Sequence, residues 1–147
     1  FVLVSVVKRN PSLLEKITSR GHEVAIHGLE HQSILDLGSE EFKHQIHEAK
    51  IYVEKEIGER VYGYRTPNFQ INSEGIEIIE GCGYEYDSSI NPCLKIPGWY
   101  GDPKAPIHPY KIGESMIEFP ASVYPLIRLP GGIHAPRFIF MEAIFLG

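Results

Sequence analysis

The fold is decided by residues 39–69, SEEFKHQIHEAKIYVEKEIGERVYGYRTPNF. Apolar side chains recur at helical spacing over residues 42–57, and Gly58 follows as a typical helix terminator. The short run over residues 61–64 then predicts a strand. A polar motif, residues 65–69, follows this strand directly. The order of helix, glycine, strand and polar motif predicts one unit of an α/β fold.

The same order of elements occurs before and after this unit. The earlier copy has a helix that begins near Asn10 and Pro11, and a strand over residues 22–26. The later copy has a helix that begins at residue 72 or 73, and a strand over residues 84–86. Parallel strands that are connected by helices end at the same edge of a sheet. We therefore expect the three polar motifs to meet in space.

The C-terminal part, residues 93–147, has a different character. Eight of the eleven prolines lie between Pro97 and Pro136, and this density excludes a long helix. The segments 107–112 and 116–119 predict a β-hairpin. We expect residues 1–147 to form a single domain that includes this proline- and glycine-rich part.

The composition is that of an ordinary globular chain. The 147 residues are 43% hydrophobic and 22% charged, a length and balance that fit one domain with a sizeable core. The net charge of −5 argues against a general nucleic-acid binder, and no apolar run is long enough to span a bilayer. Cys82 and Cys93 form no CxxC pair and are expected to be free thiols. A cytoplasmic location is expected, while an envelope-associated or secreted one stays open because the chain begins at Phe1 rather than at Met.

The best candidate metal ligands are His27 and His31, directly after the first predicted strand. A spacing of four can direct both imidazoles to one ion, and imidazole suits Zn and related divalent metals. From the spacing alone, surface or core histidines remain the alternative. His22 and Glu23 do not form an HExxH metalloprotease motif with His27, because the second histidine comes one position too late.

Three further residues after the predicted strands can carry chemistry. Arg65 can hold a carboxylate with two hydrogen bonds, with a structural ion pair as the alternative. Pro67 restricts the backbone beside it, so the amide of Asn68 can be held in one direction, as an oxyanion site requires. Asp87 either orients Arg65 or a metal-bound water, or caps the turn that follows it.

Taken together, the three motifs resemble those of the polysaccharide deacetylase family, the NodB-homology domain of carbohydrate esterases. Residues 21–31, GHEVAIHGLEH, resemble the family's second motif, and residues 63–69, GYRTPNF, its third. Residues 83–89, GYEYDSS, resemble the segment that leads to its fourth, and residues 1–4 with Asn10-Pro11 are similar to the strand and helix before the second. The likeness covers roughly residues 1–92. The most similar subgroup is the one linked to exopolysaccharide or cell-envelope biosynthesis.

The resemblance implies a distorted (β/α) barrel, a divalent metal ion, most often Zn, and hydrolysis of the N-acetyl group of an amino sugar. His27 and His31 would bind the metal, Arg65 would orient the catalytic base, and the Asn68 amide would stabilise the oxyanion. Asp87 would support Arg65. The expected partner is an acetylated amino-sugar polysaccharide or oligosaccharide. The expected substrate-binding residues are Trp99 and Tyr100.

The chain also departs from the family pattern. The family's first motif contains an Asp-Asp pair that supplies a metal ligand and the general base, but this chain has three Asp residues and no adjacent pair. We expect that motif to lie upstream of Phe1, which would leave an incomplete barrel with an exposed apolar edge at its start. Position 28 is Gly where the family usually has Ser or Thr. The family's late histidine, the general acid, has only His134 as a candidate stand-in.

These departures leave three alternatives open, the last of which is a purely structural fragment. The first is a catalytically dead relative that only binds carbohydrate. The second is another metal-dependent amidohydrolase on an α/β barrel, acting on a small amide.

Overall fold

A computed structural model describes residues 1–131, which form a mixed α/β structure. The helices in this range are α1 (Val4–Arg9), α2 (Ser12–Thr18), α3 (Ile34–Leu37), α4 (Ser39–Ile57) and α5 (Ser73–Gly81), with a 3₁₀ turn at Pro67–Phe69. The strands are β1 (Gly63–Tyr64), β2 (Tyr86–Asp87), β3 (Tyr110–Ile112), β4 (Met116–Glu118), β5 (Val123–Tyr124) and β6 (Leu129–Pro130). His134 and the rest of the apolar C-terminal end lie outside the described residues.

The main sheet of the described part has the strand order β1-β2-β4-β3. β1 and β2 are parallel, as are β2 and β4, whereas β3 and β4 form the antiparallel hairpin that the sequence predicts. Isolated parallel bridges join Val2 to Ile26 and Ile26 to Tyr64, so the row of parallel neighbours continues beyond β1. Within the predicted strand over residues 22–26, only Ile26 pairs with neighbours, through these two bridges. β5 and β6 pair separately.

Helix α4 forms the centre of the hydrophobic core. Its buried side chains Phe42, Ile46 and Val53 repeat at helical spacing and therefore share one face. The ring of Phe42 packs edge-on against Tyr64 of β1, with 6.0 Å between the ring centroids. Gly58 ends the helix in the left-handed conformation, as the sequence predicts.

The start of the chain corrects the predicted strand over residues 1–4. Val2 makes a single bridge, and helix α1 begins at Val4. The backbone N–H groups of Val4 and Ser5 donate to the carbonyls of Gly28 and Leu29, at 3.1 and 3.0 Å, which turns the chain out of the sheet. The predicted exposed apolar edge is limited, because Phe1 is 46% exposed while Val2 and Val4 are buried.

Helix α5 anchors the hairpin through one carboxylate. Glu80 accepts hydrogen bonds from the backbone N–H groups of Glu114, Ser115 and Met116 in the turn between β3 and β4. These bonds lower the pKa of Glu80 to about 2. The hairpin is therefore tied to the helix that precedes β2, which fixes β4 beside β2.

Two expectations about the environment of the chain can be compared with this structure. Cys82 and Cys93 are free thiols, and Cys93 is buried. Within residues 1–131, none of the helices combines the length and the apolar character that crossing a bilayer requires.

Candidate active site

The polar motifs meet because the strand positions before them are parallel neighbours. Ile26 pairs with Tyr64, and Tyr64 pairs with Asp87. The backbone ladder continues one step further, since the Arg65 N–H donates to the Ile26 carbonyl and the Ser88 N–H to the Tyr64 carbonyl, both at 2.9 Å. The predicted convergence of the three motifs at one sheet edge is therefore confirmed.

The two histidines of the first motif lie next to each other. The rings of His27 and His31 are edge-on, with 5.2 Å between their centroids. His27 Nδ1 lies 2.7 Å from the carbonyl oxygen of Arg65, which can only accept, so Nδ1 carries the proton and Nε2 keeps its lone pair. Burial lowers the pKa of His27 and thereby favours the neutral imidazole. A neutral ring with one nitrogen held by a backbone carbonyl is the usual state of a metal-binding histidine.

The described residues supply part of a metal site. His27 and His31 have the donor chemistry and the proximity that one divalent ion needs. No cluster of three or more His, Cys, Asp or Glu side chains that could hold an ion occurs in residues 1–131. Zinc sites usually have three or four protein ligands, so the pair fits the metal chemistry but is short of a full ligand set.

Arg65 is held against the second strand by Ser88. Its Nε donates to the Ser88 carbonyl at 2.8 Å, and its guanidinium also contacts the Ser88 hydroxyl. That hydroxyl in turn donates to the carbonyl of Phe119 at 2.5 Å. The rings of Phe1 and Phe69 lie 4.2 and 5.7 Å from the guanidinium carbon. Arg65 is thus fixed by hydrogen bonds on one side and by aromatic faces on the other.

Asp87 is buried and binds Ser89 rather than Arg65. Its two oxygens accept from the Ser89 hydroxyl at 2.6 Å and the Ser89 N–H at 3.0 Å. The same hydroxyl accepts from the Thr66 N–H at 2.8 Å, so Asp87 supports the third motif through Ser89. These bonds match the turn-capping alternative. Burial lowers the pKa of Arg65, and the negative charge of Asp87 opposes that shift.

Glu118 is a buried acid that the sequence analysis did not single out. It is the register partner of Asp87 in the parallel pair of β2 and β4, and it is 0% exposed. Its Oε1 accepts from the Ile90 N–H at 2.9 Å, whereas Oε2 has no partner within residues 1–131. Burial and the charge of Asp87 raise the pKa of Glu118. Two neighbouring buried carboxyls therefore hold a proton at neutral pH.

The turn after Arg65 has an unusual backbone. Asn68 has φ 57° and Phe69 has φ 56°, both in the left-handed region. Asn tolerates this conformation, but it is strained for Phe. The turn is closed by a hydrogen bond of 3.2 Å from the Gln70 N–H to the Pro67 carbonyl. The backbone around Asn68 is therefore held in one conformation.

The backbone conformation at Gly28 explains why this chain has glycine where the family usually has Ser or Thr. Its φ is +105°, and a Cβ added there would lie 2.6 Å from the carbonyl oxygen of Glu30. A serine or threonine cannot adopt this conformation without strain. The loop that carries His27 and His31 is therefore built for glycine in this chain.

Trp99 and Tyr100 line a separate cavity of about 510 Å³. Their rings are 4.9 Å apart, and the ring of Tyr100 is 5.4 Å from that of Phe69. Neither histidine of the pair nor Arg65 lines this cavity. Phe69 lies between this cavity and Arg65, since its ring contacts Tyr100 and also lies beside the Arg65 guanidinium.

Comparisons with known proteins fit this geometry. The family model described as polysaccharide deacetylase matches residues 1–86. A curated relative, the peptidoglycan deacetylase-like protein FGM2 of Gibberella zeae, is 27% identical over 81 residues, which are 55% of this chain and 24% of that protein. The chain thus spans about a quarter of the length of this relative.

Solved structures show a similar fold. A putative polysaccharide deacetylase from Mycobacterium smegmatis superposes with a TM-score of 0.68 at 23% identity, over 99% of this chain and 51% of that one. The PuuE allantoinase superposes with a TM-score of 0.67 at 16% identity, over 99% of this chain and 47% of that one. At these identities the likeness concerns the fold alone.

Proposed function

Because the chain belongs to the polysaccharide deacetylase family, we propose that it takes part in metal-dependent hydrolysis of N-acetyl groups of amino sugars in a polysaccharide or oligosaccharide. The observation that carries this proposal is the hydrogen bond of 2.7 Å between His27 Nδ1 and the Arg65 carbonyl. It leaves His27 Nε2 free as a ligand beside His31, and it joins the metal-binding motif to the arginine motif.

In this proposal each residue has a defined task. His27 and His31 would hold a divalent ion, with Zn expected, which when bound lowers the pKa of a water molecule and polarises a carbonyl. Arg65, which Ser88 holds in place, would orient the base. The Asn68 amide would donate to the oxygen that becomes negative as the acetyl carbonyl is attacked. Asp87 would support this arrangement through Ser89 and through its charge.

We propose that the domain forms a distorted (β/α) barrel, because the structure of a putative polysaccharide deacetylase superposes on 99% of this chain. We also propose that the protein belongs to the exopolysaccharide-type subgroup. A cytoplasmic location is proposed because both cysteines are free thiols. The sequence has no adjacent Asp pair, and the general base is not assigned to any of its residues.

One observation favours an alternative. The ligand pair without a third group nearby, within the described range, favours a relative that binds carbohydrate without catalysis.

Acetate release separates these functions. Protein from the complete coding sequence, loaded with Zn²⁺, would be incubated with the tetramer of N-acetylglucosamine and, in parallel, with the monomer. We expect acetate from the tetramer, loss of release in His27→Ala, and unchanged release in the matched variant His44→Ala on the exposed face of α4. Faster release from the monomer would favour the small-amide function. A folded, metal-loaded protein that releases no acetate would favour the binding function.

A further inference from the structure

Two consecutive residues at the end of β4, Glu118 and Phe119, bind the segment that follows β2. The Phe119 carbonyl accepts from the Ser88 hydroxyl at 2.5 Å, and that hydroxyl contacts the Arg65 guanidinium. Glu118 Oε1 accepts from the Ile90 N–H at 2.9 Å. The end of β4 therefore supports the residues against which the Arg65 side chain is held.

A second chain of hydrogen bonds leads from Asp87, the register partner of Glu118, to the residue after Arg65. Asp87 Oδ1 accepts from the Ser89 hydroxyl at 2.6 Å, and that hydroxyl accepts from the Thr66 N–H at 2.8 Å. Thr66 is 1% exposed, so water cannot readily replace this acceptor. The backbone beside Arg65 therefore depends on where Asp87 holds Ser89.

One carboxyl oxygen of Glu118 is an unpartnered acceptor within residues 1–131. Glu118 is 0% exposed, and its Oε2 has no partner, whereas Oε1 is bonded to the Ile90 N–H. The side chains of Asp87 and Glu118 lie within hydrogen-bonding reach of each other. Two ionised carboxylates offer acceptors only, but a protonated carboxyl is a donor. A proton on Oε2 therefore turns the unpartnered oxygen into a donor for Asp87.

The titratable groups around this pair keep the proton in place at neutral pH. Burial and the charge of Asp87 raise the pKa of Glu118 to about 9. Burial also raises the pKa of Tyr110, the register partner of Glu118 on β3, to about 12, and that of Tyr64 on β1 above its usual range. Both phenols are therefore neutral, and Arg65 supplies the positive charge near Asp87. The pair carries one negative charge until alkaline pH removes the proton from Glu118.

We propose that Glu118 is a positioning residue for the arginine motif, which as a neutral acid donates to Asp87 and thereby keeps Ser89 and Thr66 in place beside Arg65. The inference rests on the proposed function for the part that Arg65 plays in deacetylation. Loss of the proton would put two negative charges side by side in a buried site, and their repulsion would separate Asp87 from Ser89. The Thr66 N–H would then lose its acceptor, and the backbone that carries Arg65 would no longer be fixed.

Three variants separate the donor of Glu118 from its titration. Glu118→Gln keeps an acceptor for the Ile90 N–H and an N–H donor for Asp87, but it does not titrate. Glu118→Leu has a similar volume and neither group. Glu114→Gln, which changes an exposed acid in the turn of the same hairpin, is the matched control. Protein from the complete coding sequence, loaded with Zn²⁺, would be assayed for acetate release from the tetramer of N-acetylglucosamine at neutral and at alkaline pH.

We expect the kcat/KM of the wild type and of Glu114→Gln to fall by about tenfold or more when Glu118 loses its proton. Glu118→Gln should keep most of the neutral value and should lack this alkaline loss. Glu118→Leu should lose about tenfold or more in kcat at neutral pH with KM nearly unchanged, because only the orientation of Arg65 is affected.

Hydrogen exchange of the Thr66 amide, followed by NMR, measures the positioning without reference to activity. The exchange should be slow at neutral pH in the wild type and in Glu118→Gln, and about tenfold or more faster in Glu118→Leu. If Glu118→Leu does not fold, the comparison of Glu118→Gln with the wild type at alkaline pH decides between the outcomes.

Other results would overturn this role of Glu118. They are full kcat/KM in folded Glu118→Leu, inactive folded Glu118→Gln at neutral pH, and an alkaline loss in Glu118→Gln equal to that of the wild type. Unchanged Thr66 exchange in Glu118→Leu, together with normal acetate release, would overturn the positioning and leave the proposed function intact. Thr66 exchange in the expected order in a protein that releases no acetate would overturn the deacetylase and leave the positioning standing.

Discussion

His27 and Arg65 are joined by one hydrogen bond, and a second bond joins Arg65 to Ile26, the residue before His27. The Arg65 N–H donates to the Ile26 carbonyl at 2.9 Å, and the Arg65 carbonyl accepts from His27 Nδ1 at 2.7 Å. Both bonds use the backbone of Arg65 and not its side chain. The orientation of the His27 ring therefore depends on the path of β1, whereas the guanidinium takes no part in holding this ring.

Because the bond to His27 uses only the Arg65 backbone, a substitution of the Arg65 side chain should affect catalysis without affecting the metal site. Arg65→Gln should abolish acetate release, because the charged guanidinium is lost, but it should leave metal binding by His27 and His31 unchanged. Metal content and acetate release, measured on the same preparation, check the separation. Equal loss of both would show that the side chain also supports the metal site.

Ser88 is expected to act as a positioning residue. Ser88→Ala removes the hydroxyl that joins the Arg65 guanidinium to the Phe119 carbonyl. The kcat/KM for acetate release should fall by about tenfold to a hundredfold, since small misplacements of catalytic groups have effects of this size. The melting temperature should fall only slightly, because one hydrogen bond contributes about 1 kcal/mol.

The matched control for Ser88→Ala is Ser73→Ala, at the exposed start of α5. It should alter neither activity nor melting temperature. Full activity in folded Ser88→Ala would contradict the positioning role.

Replacing Gly28 by serine, one of the two residues that the family usually has at this position, should destabilise this chain. Gly28→Ser places a Cβ 2.6 Å from the Glu30 carbonyl oxygen at a φ of +105°. The variant should lose at least about 2 kcal/mol of unfolding free energy, measured by urea denaturation.

Gly21→Ser is the comparison for this loss. Its φ is +75°, and a Cβ added there meets no atom within 4 Å. It should cost only about 1–2 kcal/mol from backbone strain. If Gly28→Ser is as stable as the wild type, the loop conformation described for residues 27–31 is incorrect.

The buried acid pair predicts a pH dependence of stability. Glu118 has its pKa raised above the ordinary value of 4.5, so above pH 4.5 the folded state binds a proton that the unfolded state has released. The contribution is complete below that pH and is lost as the pH rises, by up to about 1.4 kcal/mol per pH unit. Glu118→Gln keeps the acceptor for the Ile90 N–H without this proton, so its stability relative to the wild type should increase from pH 5 to pH 8.

Urea denaturation at several pH values measures this effect. Glu48→Gln, on the exposed face of α4, should follow the wild-type curve. Parallel curves for Glu118→Gln and the wild type would contradict the shared proton.

Local patterns in the sequence predicted the elements that depend on neighbours along the chain. Helix α4 follows from its apolar period and from Gly58, and helix α5 from its Asn72 cap, whose side chain accepts from the Gly75 N–H at 2.8 Å. Helix α3 has a capping box, Ser33 with Asp36, but four residues are too short for a period to show. The convergence of the motifs followed from the rule for parallel strands.

What the sequence could not predict depends on contacts between distant residues. The family resemblance implied a strand over residues 1–4, but a helix begins at Val4, whose N–H donates to the Gly28 carbonyl. The pairing of β4 with β2 places Glu118 beside Asp87, and this register is set by residues far apart in the chain. For the same reason the role of Ser88 was not evident from its position after Asp87.

The most direct test of the account is the Zn²⁺ content of the purified protein after equilibration with the metal and dialysis. For protein from the complete coding sequence, we predict about one ion per chain in the wild type and in His44→Ala. His27→Ala and His31→Ala should each lose the ion while remaining folded by circular dichroism. Retention of the full metal content in folded His27→Ala would contradict the central claim that this histidine pair holds the metal.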